Sequence, residues 1–196
     1  MSKKYFTDRD HTVMMEYYDF LDSEQRTPAK TEKKMQGFIT KDPTFLDPYL
    51  ILFELYQSKP NIEKAQEVLE QAYQIAIKTI TDRKGNWPNE IPWGHLENRH
   101  IIRTLLNMAI NLWVKGENKG ALDLLRKLLR SNPRDNIGAR SYILAIRLGM
   151  KFDEFEIKMM SKEGYYDGMK MMKFEEKMKD FPDEFAWWFE TTKEYS

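Results

Sequence analysis

Cysteine is absent from the 196 residues, which excludes a disulfide framework, a thiolate metal site and a cysteine nucleophile together. A surplus of either charge is also missing. Lys plus Arg and Asp plus Glu number 31 each, so no global field argues for nucleic acid or a membrane surface. No window approaches the roughly 18 uninterrupted apolar residues of a membrane span. The opening MSKKYFTDRDH has no apolar run behind its basic residues, so no secretory signal is expected. Phosphate loops, nucleophile elbows and dinucleotide fingerprints do not occur, and paired carboxylates such as Asp153-Glu154 or Glu175-Glu176 sit in charged runs without a nearby histidine. The expectation is a cytoplasmic protein that is not an enzyme and needs no cofactor or metal.

What is present is helical periodicity. Between Ile102 and Asp135, Leu105, Met108, Ala109 and Leu112 recur at three- and four-residue spacing. After a Gly116-Glu117-Asn118 turn, Ala121, Leu124, Leu125 and Leu128 do the same. A lone hairpin cannot bury both stripes, so neighbours of its own kind are required.

Taken in order, residues 1–8 are expected to form a mobile lead-in. Val13, Met14, Tyr17, Phe20 and Leu21 define a helix over about Arg9 to Leu21. Thr27-Pro28 starts a second helix carrying Met35, Phe38 and Ile39, which Asp42-Pro43 stops. Asp47-Pro48 repeats the start signal before YLILFELYQ, Lys59-Pro60-Asn61 breaks that helix, and IEKAQEVLEQAYQIAIKTI forms a long one.

These two helices resemble a tetratricopeptide repeat, a helix–turn–helix unit of 34 residues. Ala65 stands where that family places a small residue between the paired helices. Tyr49, Leu52, Tyr56, Leu69 and Ala72 fall on its other core positions. Phe53 sits where the family prefers a small residue, and Ile77 replaces its terminal proline. Ala121 sets the same register again, with Leu105, Met108, Ala109, Leu112, Leu125 and Leu128 as core and Pro133 as the proline. The resemblance implies an all-α, right-handed superhelical array of about four hairpins in one domain. Its parts are a degenerate unit 12–45, a unit 46–79, a Trp/Pro insert 80–101, a unit 102–135, a degenerate unit 136–169 and a C-terminal cap 170–196. In the insert, Trp87, Ile91 and Trp93 are too apolar to float free, and Leu96 or Glu97 should begin the next helix. In Asn132-Pro133-Arg134-Asp135-Asn136-Ile137-Gly138, the proline ends one helix and Asp135 or Asn136 caps the next. Phe181, Phe185, Trp188 and Phe189 share one face of the cap, behind Pro182.

Charge is uneven along the chain. Residues 95–150 hold ten basic side chains against four acidic ones, and residues 151–196 hold eight against twelve. This pattern suggests self-docking or a groove for an acidic partner. Arg99, Arg103, Asn107, Asn111 and Lys115 form a polar ridge at four-residue steps. The concave positions of the resembled family map Arg103, Asn107, Ile110, Trp113, Arg140, Ser141, Leu144 and Arg147 onto one candidate groove. There Arg and Asn would grip carboxylates and Trp113 would anchor. The expected function is non-enzymatic binding of a peptide or acidic protein segment. The alternatives are a solvated face paired with the acidic tail, and nucleic-acid binding through Arg126, Lys127, Arg130 and Arg134. His95, Glu97 and His100 carry metal-ligand types, but the two histidines are five residues apart and leave one helical face. A local helix-start network is expected instead. Seven of twelve methionines lie at or after Met150 and are expected to fill core beneath the cap.

Overall fold

The computed structural model of the chain describes residues 5–23, 27–58 and 61–193. About 70% is helix and no strand is present among these residues. None of their helices is long and apolar enough to cross a membrane. The chain divides into two compact units, 1–108 and 109–196.

The first unit holds α1 (Met14–Asp22), α2 (Pro28–Lys41), α3 (Asp47–Gln57), α4 (Ile62–Ile80) and most of α5 (Leu96–Val114). Local signals set the starts of α2 and α4. The Thr27 side chain accepts from the Lys30 amide at 3.3 Å with Pro28 next to it, and the Asn61 side chain accepts from the Lys64 amide at 3.4 Å. The expected break at Lys59-Pro60 lies outside the described residues. The core follows the helical spacing: α2 packs on α3 and α3 on α4, and Tyr49, Leu52, Tyr56, Ala65, Leu69 and Ala72 are buried. Phe53 is buried too. Ile91 of the insert is fully enclosed, and Arg99 stacks over Trp93 at 5.1 Å. Helix α5 begins at Leu96.

Three expectations for this unit are corrected. Of the expected mobile lead-in, residues 1–4 lie outside the described residues, and residues 5–8 are held, not mobile. Tyr5 bridges Glu90, the Phe6 amide donates to the Glu90 carbonyl at 2.9 Å, and the Asp8 amide donates to Asn98 Oδ1 at 2.9 Å. Helix α1 begins at Met14 rather than Arg9, because Asp8, Arg9 and His11 are engaged in tertiary bonds. Asp47 caps nothing, since Arg103 takes its carboxylate at 2.5 and 3.0 Å.

The second unit holds the end of α5, then α6 (Asn118–Ser131), α7 (Ala139–Arg147), α8 (Phe152–Met159), α9 (Gly168–Glu175), a 3-10 turn (Glu176–Asp180) and α10 (Pro182–Thr192). Helix α6 packs on α7, and α9 on both α7 and α8. Ala121, Leu124, Leu125 and Leu128 are buried, as are Phe155, Phe174, Met178 and Phe185 beneath the C-terminal helices. The turn into α7 works as its residues suggest. Asp135 accepts from the Ala139 and Arg140 amides at 2.7 and 3.0 Å, answering helix donors that would otherwise be orphaned. Gly138 there takes φ +72°, a conformation that favours glycine. The methionines divide: Met159 and Met178 are core, whereas Met169 and Met172 are exposed.

Candidate functional site

Arg103 and Asn107 lie in the first unit. The Arg103 guanidinium is committed to Asp47 and, at 3.3 Å, to the Tyr18 hydroxyl, with Trp93 at 5.9 Å. Burial disfavours its charge, but Asp47 outweighs that and its pKa is raised. The Asn107 side chain donates to the Arg103 carbonyl at 2.9 Å.

Ile110, Trp113, Arg140, Ser141, Leu144 and Arg147 lie in the second unit. Trp113 is only 3% exposed. Its indole N–H reaches the Met150 carbonyl at 3.0 Å and its ring packs edge-on to Phe152 at 5.3 Å. Leu144 is buried and Ile110 half-buried. The polar members turn to the C-terminal segment. Arg140 holds Asp135 at 2.9 Å and Glu175 at 3.1 Å, and the Ser141 hydroxyl donates to Glu175 at 2.5 Å. Arg147 binds Asp183 and Glu184, each at 2.8 Å. Arg126 joins it with two bonds to Glu184, at 2.8 and 2.5 Å. Aromatic rings flank these pairs: Trp188 lies under Arg140 at 5.2 Å and Phe181 under Arg147 at 5.0 Å. Glu184 is buried, which would raise its pKa, but Arg126 and Arg147 hold it below the usual range. This is charge-assisted recognition of carboxylates, bidentate in the Arg126–Glu184 pair, and three of the four carboxylates come from residues 175–184.

Of the basic residues named for nucleic acid, Arg126 is thus committed and Arg130 lies over Trp187 at 5.3 Å.

The histidines form a site that sequence spacing did not bring together. His95 meets the Tyr5 hydroxyl at 2.9 Å and lies apart from the cluster. His100 is buried beside His11, their rings 4.7 Å apart, and Phe45 lies 5.3 Å from each. His11 Nε2 is 3.0 Å from Asp8 Oδ2 and its Nδ1 is 2.8 Å from Asp42 Oδ2. His100 Nε2 also meets Asp8 Oδ2 at 3.0 Å, while its Nδ1 accepts from the Leu46 amide at 3.1 Å. Arg9 and the Thr44 hydroxyl complete Asp42, at 2.7 and 2.9 Å.

These partners assign the protons. Each nitrogen of His11 faces a carboxylate, which suits an imidazolium. Burial opposes that charge, yet the bonds to Asp8 and Asp42 outweigh it and raise the pKa. Burial would raise Asp8 and Asp42 as well, but bonds from His100 and His11 depress the first, and bonds from His11 and Thr44 the second. His100 is lowered, chiefly by burial.

The ligand-type atoms of Asp8, His11 and His100 lie within 4.8 Å of one another, so a cation is the obvious alternative. The tautomer argues against it. His100 Nδ1 keeps its lone pair for the Leu46 amide, so Nε2 carries the proton and cannot ligate. Asp8 and His11 remain, short of the three or four protein ligands of a zinc site. Two anions, Asp8 and Asp42, balance two cations, His11 and Arg9, with no ion required. Residue type and proximity alone would call this cluster a metal centre; the hydrogen-bond directions make it a structural proton network.

No family model, curated protein or solved structure matches the chain.

Proposed function

We propose that the chain is a non-enzymatic interaction module built from stacked, tetratricopeptide-like helical hairpins. It holds an acidic, aromatic segment of a partner protein on the basic face of α6 and α7. One observation carries this reading: Arg126, Arg140 and Arg147 are bound by Glu175, Asp183 and Glu184, with Phe181 and Trp188 against the guanidinium planes. The chemistry that recognises such a segment is therefore present, and the chain's own C-terminal segment uses it. A partner segment would exchange with that occupant. A tethered ligand competes at an effective concentration on the order of millimolar, which makes the face selective for strong or multivalent partners.

The test is a fluorescein-labelled peptide of residues 175–193 titrated into the full chain, wild type and Glu175→Gln/Asp183→Asn/Glu184→Gln, by fluorescence anisotropy. The reading expects at least tenfold tighter binding to the variant, because its internal occupant has lost its charge. Equal binding to both proteins, or none to either, would overturn it. The nucleic-acid reading draws on the same arginines. A labelled dT20 bound tightly by wild type, with affinity falling steeply as salt rises, would put that reading first.

A further inference from the structure

Helix α2 has a glycine that the fold does not need. Gly37 lies exposed in the middle of a 14-residue helix, and a Cβ built there would meet nothing within 4 Å. Its φ is not in the left-handed region. Neither dihedral strain nor close packing accounts for it, and an interior glycine weakens a helix relative to alanine. What the missing side chain leaves is room. Gly37 lies in a groove of about 440 Å³ lined by Phe20 of α1 and by Lys30, Lys33, Lys34, Phe38 and Lys41 of α2.

The lining combines an apolar floor with a cationic rim. Phe38 is buried beneath the groove and Phe20 is half-buried at its side. Lys34 lies over the Phe38 ring at 5.0 Å, and Lys34 and Lys41 share Glu16 at 2.7 and 2.8 Å. Lys30 and Lys33 are exposed and have no ion pair among the described residues. The lysines fall on one side of α2 between Lys30 and Lys41, eleven steps and so a row about 16 Å long at about 1.5 Å per residue. A single lipid head group or phosphate concentrates its charge at one point and cannot span that row. Single-stranded nucleic acid stacks successive bases on open aromatic rings, and here Phe38 is buried and only Phe20 is partly exposed. A helix with carboxylates at three- and four-residue spacing and one large apolar side chain matches both features.

We propose that the α1–α2 groove docks an acidic amphipathic helix of a partner protein, with one aromatic or leucine side chain entering over Gly37. Among the described residues nothing fills the groove, and it does not depend on the arginine face of the second unit.

The probe is a fluorescein-labelled acidic helix, EELAEWLEELAEE, titrated into the full chain by fluorescence anisotropy. Its control replaces the tryptophan and leucines by serine and keeps every charge. Wild type should bind the probe at least tenfold tighter than the control. Gly37→Leu, which fills the groove at an open helical position, and Lys30→Glu/Lys33→Glu should each lose at least tenfold while melting no earlier than wild type. The Glu175→Gln/Asp183→Asn/Glu184→Gln chain should lose none of that affinity in the presence of an excess of unlabelled 175–193 peptide, which separates this surface from the arginine face. Undiminished binding to the two α2 variants, or no binding to wild type at millimolar protein, would overturn the proposal. So would dT20, or vesicles of phosphatidylcholine and phosphatidylserine, binding wild type in place of the peptide and failing to bind the α2 variants.

Discussion

Replacing His11 by alanine removes the ring that ties the segment before α1 to the end of α2 and, through Asp8, to α5. The side chain is fully enclosed and touches Asp8 at 3.0 Å and Asp42 at 2.8 Å. Removing one member of a buried ion pair costs about 3–5 kcal/mol. The lower end applies here, because Asp42 keeps Arg9 and Thr44 and Asp8 keeps His100. With an m-value of about 2 kcal/mol/M in urea, the unfolding midpoint should fall by about 1.5 M. The pH dependence isolates the charge. His11 has a raised pKa in the fold, so its contribution is fully present below the unfolded value of about 6.5 and is lost as pH rises through the folded value. Asp8 and Asp42 are depressed, so theirs is present above about 3.9 and is lost on acidification. His100 is lowered and subtracts stability below about 6.5. The wild-type minus His11→Ala difference cancels the parts that the two chains share. Urea titrations of both proteins from pH 5 to 9 should give a difference that is largest at the acid end of that range and shrinks toward pH 9. A loss below about 1 kcal/mol, or a difference that grows with pH, would refute the imidazolium assignment.

Other substitutions follow from the same geometry. Glu184→Gln leaves Arg126 and Arg147 without their shared carboxylate and should cost about 2 kcal/mol, whereas Asp183→Asn, at an exposed and solvent-screened carboxylate, should leave the melt nearly unchanged; paired melts decide. Gly37→Ala adds a better helix former at an open position and should stabilise the chain by about 1 kcal/mol, read as a higher urea midpoint. Gly138→Ala forces a side chain to φ +72° and should cost about 1 kcal/mol or slightly more. Trp113→Ala empties a buried site and should cost about 3–5 kcal/mol; an unchanged melt would mean that the ring is a surface anchor.

Local signals were legible in the sequence because their physics is local. Thr27-Pro28, Asn61 and Asp135 act within five residues of where they stand, and the stripes of Ala65, Leu69 and Ala72 or Ala121, Leu125 and Leu128 need only helical spacing to predict burial. The sites were not legible, because their partners are distant in sequence. His11 reaches Asp42 across 31 positions, and Asp8 reaches His100 across 92. Asp47 looked like a helix cap until Arg103, 56 residues on, took its carboxylate. Summed charge distinguished a basic middle from an acidic end, but sums carry no pairing. Glu184 lies between Arg126 and Arg147, 58 and 37 positions away, a pairing that no sum of charge contains. Gly37 escaped for the opposite reason: an isolated glycine in a helical pattern reads as tolerated, and its significance lies in the space around it.

The central claim is that this chain binds acidic protein segments through chemistry it already applies to itself. Anisotropy of the labelled 175–193 peptide with the Glu175→Gln/Asp183→Asn/Glu184→Gln chain, at about 50 mM and about 300 mM salt, tests it most directly. The account predicts saturable binding that weakens several-fold at the higher salt, as partly screened Arg–carboxylate pairs must, and that Arg140→Gln reduces further. No saturable binding at either salt, or binding indifferent to both salt and Arg140, would contradict it.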